Sequence, residues 1–331
     1  MAHPSTSYTT VPDSNRYMDL SVTHHFTPDI NMLDTVTPFS GLEVHRTPTG
    51  IHPSRAKYII DLLTWAAMLD AKPCPTPMSS NTNLSLHDGV ALENGSDYHS
   101  FVGALQYCIM TSPNIVFTVN KVCQFMHHPS DVHWQVVKRI LRYLKGTYHF
   151  GLFLQPSLNF NITCYTDADW ASCLDDRRST SGYCLFLGSN LVSWSSSKQK
   201  VVSRSRTESK YQGAANEVAE IAWTKSLLRE LFITPTRPPL ILCDNINATY
   251  LVANPILHAR TKHVEINYHF VREHVLQCSL FFQFTHSDDQ LVDCMTKPLS
   301  TQCFITLRSK LTVLTRPMSL RGDVKLRDVM S

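Results

Sequence analysis

Between residues 56 and 69 the chain reads AKYIIDLLTWAAML, and its apolar side chains recur at i, i+3 and i+4. That period lines them along one stripe of a helix, so a packed amphipathic helix is expected. Pro73, Pro75 and Pro77 then break the pattern, because proline lacks the amide a continuing helix needs. The helical period returns over 98–110 and 114–126, and again over 131–144 (DVHWQVVKRILRYL). Asp131 opens that last segment, where the helix dipole favours a negative charge. Residues 39–150 are therefore expected to be mainly helical.

From 151 the pattern changes. Residues 161–166 form a β-rich run that closes on Asp167, and 182–188 and 191–195 read as two short strands with Ser189-Asn190 as their turn. A long helix is expected over 207–232, stopping before Pro235. Residues 240–243, LILC, are wholly apolar, as in a central strand buried on both faces. A helical pattern resumes near Ile246, and 280–284 returns to strand. Three strands, a helix, then alternating strand and helix describe a mixed α/β sheet covered by helices over 151–316. Residues 1–38 show no period and carry Pro4, Pro12, Pro28 and Pro38. They are read as a poorly ordered leader, and 317–331 as a tail.

Composition narrows the class. With 43% apolar and 17% charged residues in 331, collagen-like, coiled-coil and disordered chains are excluded. No apolar run approaches the ~18 residues of a membrane span, and 1–15 lack the apolar core of a secretory signal. An intracellular protein is expected. The ten cysteines form no CxxC pair and sit mostly in apolar stretches, which fits buried, reduced thiols. The paired histidines His24-His25 and His127-His128 lack cysteines at zinc-finger spacing.

Net charge is +3, but 138–210 carry eleven Lys/Arg against five acidic residues. Lys138 and Arg142, on one helix with Arg139 and Lys145, and then Arg177, Arg178, Lys198, Lys200 and Arg204 suit a phosphate-binding face. An ordinary solvated face is the plainer reading of the same charges. Trp170 and Trp194 suit either base stacking or core packing.

Asp167 and Asp244 close expected strands, and Asp293 lies near the start of a late helix. Carboxylates that converge at one sheet edge bind divalent metal, and a pair of Mg²⁺ ions supports phosphodiester cleavage. Taken singly, each fits a turn or capping residue equally well.

The wording of these segments adds to that picture. The run YTDADWASCLDDRRSTSGYCLFLGSNLVSWSSS (165–197) is followed in order by VSRSRTESKY, LCDNINA, NPILHARTKHVEINYHFVRE and QLVDCMTKPL. Together they resemble the ribonuclease H domain of copia-type retrotransposon polyproteins. Upstream, SGLEVHRTPTGIHPSRAKYIIDLL (40–63), FVGALQYCIMTSPNIVFTVNKVCQFMHHPS (101–130) and VVKRILRYLKGT (136–147) resemble the C-terminal part of the same elements' reverse transcriptase. The likeness covers about 39–323, and the first 38 residues share none of it.

The resemblance implies a ribonuclease H-like fold, a mixed five-stranded sheet with flanking helices, preceded by a mainly helical reverse-transcriptase remnant. It also implies hydrolysis of RNA in RNA–DNA hybrids by two Mg²⁺ or Mn²⁺ ions held by four acidic residues. Asp167, Asp244 and Asp293 match the first, third and fourth. The second is the Glu before Tyr in a Thr-Glu-Ala-Glu-Tyr pattern, and this chain reads Thr207-Glu208-Ser209-Lys210-Tyr211. Lys210 therefore stands at the Glu position, removing a ligand and adding a cation where divalent ions would sit. Glu208 does not replace it, because residues two apart on a helix point nearly opposite ways. A capping box from Ser205 to Glu208 explains it better.

Two further departures are Ser172 and Cys278, where the family usually has Gly. His286, seven residues before Asp293, matches the loop histidine that such domains use in proton transfer; a surface histidine without a role fits it as well. The Tyr-Val-Asp-Asp type pair of a polymerase palm is absent, so no polymerase activity is expected. Three readings stay open: an impaired hybrid nuclease, a nucleic-acid-binding module without catalysis, and a non-functional element fragment.

Overall fold

The computed structural model describes residues 42–246 and 265–315. The expected leader 1–38, the motif residues 247–264 and the tail 317–331 lie outside the described residues. A hairpin of β1 (Glu43–Thr47) and β2 (Gly50–Ser54) precedes α1 (Ala56–Trp65), α2 (Ser96–Cys108), α3 (Val116–Cys123) and α4 (Asp131–Thr147). Next come β3 (Phe150–Leu152), β4 (Ile162–Ala168), β5 (Thr180–Leu187), β6 (Asn190–Lys198), α5 (Arg206–Glu230) and β7 (Leu240–Cys243). The chain ends in α6 (Glu265–Leu276), β8 (Phe281–Phe284), α7 (Asp293–Thr296), α8 (Thr301–Lys310) and β9 (Val313–Thr315).

The expected mixed sheet is present. Its five strands run β6-β5-β4-β7-β8, with β4 antiparallel to β5, β5 to β6, and β4, β7 and β8 parallel. Gly188 and Ser189 make the β5–β6 turn, one residue earlier than expected, because Gly188 supplies the positive φ of 60° there. On one face α5 packs Tyr211, Val218 and Ile221 against Ile162, Cys164 and Leu185. On the other, Cys184, Phe186 and Trp194 share a core with α1–α4 and with Val292 and Met295. Trp194, 1% exposed, is thus a core residue. The regions 39–150 and 151–316 share this core, and β9 returns to pair with β3 in a second sheet, β1-β2-β3-β9.

Several expected boundaries move for local reasons. The 114–126 helix becomes a short 3-10 turn from Pro113 followed by α3, since Pro favours a first helical turn. The first helix stops at Trp65, and Ala67 takes φ 51° to turn the chain. In β7, Ile241 and Cys243 are buried but Leu240 and Leu242 only half-buried. The two-faced burial expected there is absent because the helices that cover β5 and β6 do not extend over β7. No helix among the described residues is long and apolar enough to cross a membrane. All ten thiols are free; seven are buried and Cys278 and Cys303 are exposed.

Cys278 carries a specific cost. It follows α6 at φ 51°, and the amides of Cys278 and Ser279 bond back to Val275 and His274 carbonyls at 2.9 Å each. That left-handed helix end suits Gly, because a Cβ there costs ~1–2 kcal/mol. Cys278→Gly is therefore expected to stabilise the protein by about 1 kcal/mol in urea unfolding. Ser172 differs: the left-handed residues of that loop are Ala171, at φ 54°, and Arg177, at φ 57°, so a Ser at 172 costs no such strain.

Candidate active site

Parallel pairing of Thr166 with Cys243 sets the ends of β4 and β7 side by side. Asp167 and Asp244, the next residue on each strand's path, therefore meet at one edge. Asp293, the first residue of α7, reaches the same edge from below the sheet. The structure thus brings together the three carboxylates predicted from the sequence, and Lys210 stands among them. Lys210 Nζ lies 2.8 Å from Asp167 Oδ1 and donates a hydrogen bond to Asp244 Oδ1. A second lysine completes the cluster: Lys297 Nζ is 2.8 Å from Asp293 Oδ1 and 4.0 Å from Asp167 Oδ2. Thr296 Oγ1 donates to Asp167 Oδ2 at 2.6 Å.

Burial sets how each group ionises. Asp167, 2% exposed, would be pushed up by burial, but Lys210 and Lys297 hold its carboxyl below the usual range. Lys210 shows the converse: burial would lower the ammonium, yet Asp167 and Asp244 keep it above its ordinary value. Asp293 is pushed up to about 6, chiefly by burial, against the opposing pull of Lys297. Three carboxylates and two ammoniums leave the cluster at a net charge of −1.

This donor set does not fit two divalent ions. The ammonium of Lys210 lies between the Asp167 and Asp244 oxygens that would have to bind metal. Among the described residues no group of three His, Cys, Asp or Glu side chains is arranged to hold a metal ion. Lys297 escaped sequence reasoning, although its i+4 spacing from Asp293 was a usable signal on a helix start.

The amide of Glu208 donates to Ser205 Oγ at 3.1 Å, and Glu208 Oε2 accepts from Arg204 N at 2.9 Å. Its carboxylate is engaged in closing the start of α5. His286 is exposed, with its ring edge-on to Phe284 at 5.3 Å. The basic residues form a less open face than expected. Lys198 pairs with Asp176 at 2.8 Å and Arg178 with the same oxygen at 3.6 Å. Arg142 donates to the Lys72 carbonyl at 2.7 Å, and Lys138 lies 5.6 Å from the Trp134 ring centroid. Charge counting along the chain could not see these internal partners. Arg177, Lys200 and Arg204 are exposed, and Arg177 and Arg204 make no ion pair among the described residues. Trp170 is 45% exposed, its indole N–H donating to the Ser203 carbonyl at 3.1 Å.

Sheet order and strand directions give the chain a ribonuclease H-like fold. The chain is 48% identical over 281 residues to the "Retrovirus-related Pol polyprotein from transposon RE1" of Arabidopsis thaliana, covering 85% of this chain and 19% of that one. It is 42% identical over 194 residues to an uncharacterised mitochondrial protein of the same plant, covering 59% of this chain and 80% of the other. The chain belongs to the copia-type retrotransposon Pol polyprotein family, and spans about a fifth of the Pol polyproteins it matches. No family model matches it. Among solved structures it is similar to the foamy viral protease-reverse transcriptase in complex with RNA/DNA hybrid, at TM-score 0.41 and 11% identity over 88% of this chain and 32% of that one. A ribonuclease H1 from compost aligns at TM-score 0.31 and 10% identity over 40% of this chain and 88% of its own.

Proposed function

We propose that this chain is a retrotransposon-derived, ribonuclease H-like protein that binds RNA–DNA hybrid but hydrolyses it poorly or not at all. The observation that carries the reading is Lys210 Nζ set between Asp167 and Asp244. An ammonium there offsets buried carboxylate charge that divalent ions would otherwise offset, and it repels those ions. With no Mg²⁺ or Mn²⁺ site of the usual donor set, no hydrolytic step is assigned to the cluster. No polymerase step is assigned to the residues of this stretch, which carries no Tyr-Val-Asp-Asp type pair. Free thiols fit an intracellular setting.

Hybrid binding is supported by the exposed cations Arg177, on the loop between β4 and β5, and Lys200 and Arg204, on the loop before α5. The full chain should bind a labelled RNA–DNA hybrid with an affinity that falls steeply with salt. Neutralising Arg177 and Arg204 to Gln should flatten the log–log salt slope by about 1.8, at ~0.9 per phosphate contact. Neutralising Arg178 and Lys198, already paired with Asp176, should flatten it by less than half as much. Anisotropy titrations across salt concentration measure both. Equal effects from the two pairs, or none from either, would remove the binding face.

A further inference from the structure

The unspent positive charge of the sheet unit lies at its other end. A cavity of about 810 Å³ opens between the C-terminal half of α5, the loop before β7 and the residues that precede β8. It lies at the N-terminal ends of the parallel strands, roughly 15–20 Å along β4 from Asp167. Lys225, Arg229 and Arg237 line it with His274, and no acidic residue does. Lys225 Nζ donates to the Ser279 carbonyl at 3.2 Å, while Arg229 and Arg237 make no ion pair among the described residues, in contrast to Arg178 and Lys198. Its volume is that of a ligand pocket.

The rim carries an aromatic ring that folding does not explain. Phe232 follows α5 at φ 59°, with its amide bonded to Arg229 O at 3.1 Å and that of Ile233 to Leu228 O at 2.9 Å. A helix end of this geometry favours Gly, and a bulky side chain there is costly. Here the position holds a phenyl ring that is 95% exposed, so neither helix termination nor burial accounts for it. The loop beside it is fixed: Asn161 Oδ1 accepts from Thr236 N at 3.0 Å and from Arg237 N at 3.1 Å.

Arg237 and Pro238 also line a neighbouring cavity of about 570 Å³, again without an acidic residue. Cations spread along the first cavity, with an open groove continuing past Arg237, suit an extended ligand with repeated anionic groups better than a single small anion. An open cationic track beside an exposed ring is the arrangement by which single strands bind, phosphates on the cations and a base on the ring.

We infer that this end of the sheet is a second nucleic-acid site, which takes single-stranded RNA or DNA through Arg229, Arg237 and Phe232. The test is anisotropy of a labelled oligouridine on the full chain, with uridine monophosphate as competitor. Binding should be salt-sensitive. Phe232→Ala should weaken it roughly tenfold, the scale of one lost base stack. Arg229→Glu with Arg237→Glu should weaken it further and flatten the salt slope by about 1.4, at ~0.7 per single-strand contact. All three residues are exposed, and thermal melts of the variants should match the parent. The Arg177→Gln, Arg204→Gln variant should bind oligouridine normally, while the cavity variants should keep hybrid affinity, which separates this inference from the hybrid reading. Unchanged oligouridine affinity in the cavity variants would overturn it. So would competition by the monophosphate as strong as by the oligomer, which would make this a nucleotide pocket.

Discussion

Lys210→Glu is expected to give Mg²⁺-dependent cleavage of RNA–DNA hybrids at least about a hundredfold faster than the parent protein, since each ~1.4 kcal/mol of barrier is tenfold in rate. The substitution removes the cation that bridges Asp167 and Asp244 and places a carboxylate where the resemblance to ribonuclease H domains puts a metal-ligating Glu. Lys297 is 42% exposed at its side chain, so it can swing outward once ions compete for Asp293. Glu208→Ala should leave cleavage unchanged, because Glu208 serves the start of α5. The comparison is single-turnover cleavage of a labelled hybrid by parent, Lys210→Glu and Glu208→Ala proteins. Efficient cleavage by the parent that Glu208→Ala abolishes would instead make Glu208 the ligand. No cleavage by a folded Lys210→Glu protein would show that losses elsewhere, beyond this residue, have closed the site.

The second large effect is on stability. Lys210→Met should cost about 3–5 kcal/mol at neutral pH, the usual penalty for stripping the partner from a buried ion pair. Asp167 and Asp244 would be left as close, poorly hydrated like charges. The sign with pH follows from the carboxyl shifts. In the parent, Asp167 is held below the usual range, so its pairing stabilises the fold above pH ~4 and is lost as acid protonates it. In Lys210→Met, burial pushes the Asp167 carboxyl up without the opposing cation, so its protonation relieves the strain and the deficit shrinks toward pH 5. Asp293, already at about 6, works in that same direction in both proteins: its contribution improves as pH falls below about 6. Urea unfolding at pH 7.5 and at pH 5 checks this. A deficit below ~1 kcal/mol at pH 7.5, the scale of an exposed pair, would contradict it.

How much of this was legible in the sequence varies with the range of the contact. Tyr211 beside Lys210 sets the register on which the resemblance places Lys210 at a Glu position. The strands around Asp167 and the long α5 were legible because each spans enough residues to show its period. By contrast β3 and β9 are three residues each, too short to carry a period, and exist because they pair with one another. Lys297 was missed because its reach to Asp167 depends on how α7 docks under β4. The basic face was overread for a related reason: Asp176, counted as one acid in a basic stretch, pairs at close range with both Lys198 and Arg178. The cavity beside Phe232 had no sequence signal at all, since three separated segments build it.

Lys210 occupies the space between Asp167 and Asp244 that a divalent ion would need. Electron paramagnetic resonance of Mn²⁺ titrated into the full chain tests this without requiring turnover. The parent protein should leave millimolar Mn²⁺ with the spectrum of the free ion, while Lys210→Glu should bind it. Tight Mn²⁺ binding by the parent, abolished by Asp167→Asn, would contradict the account.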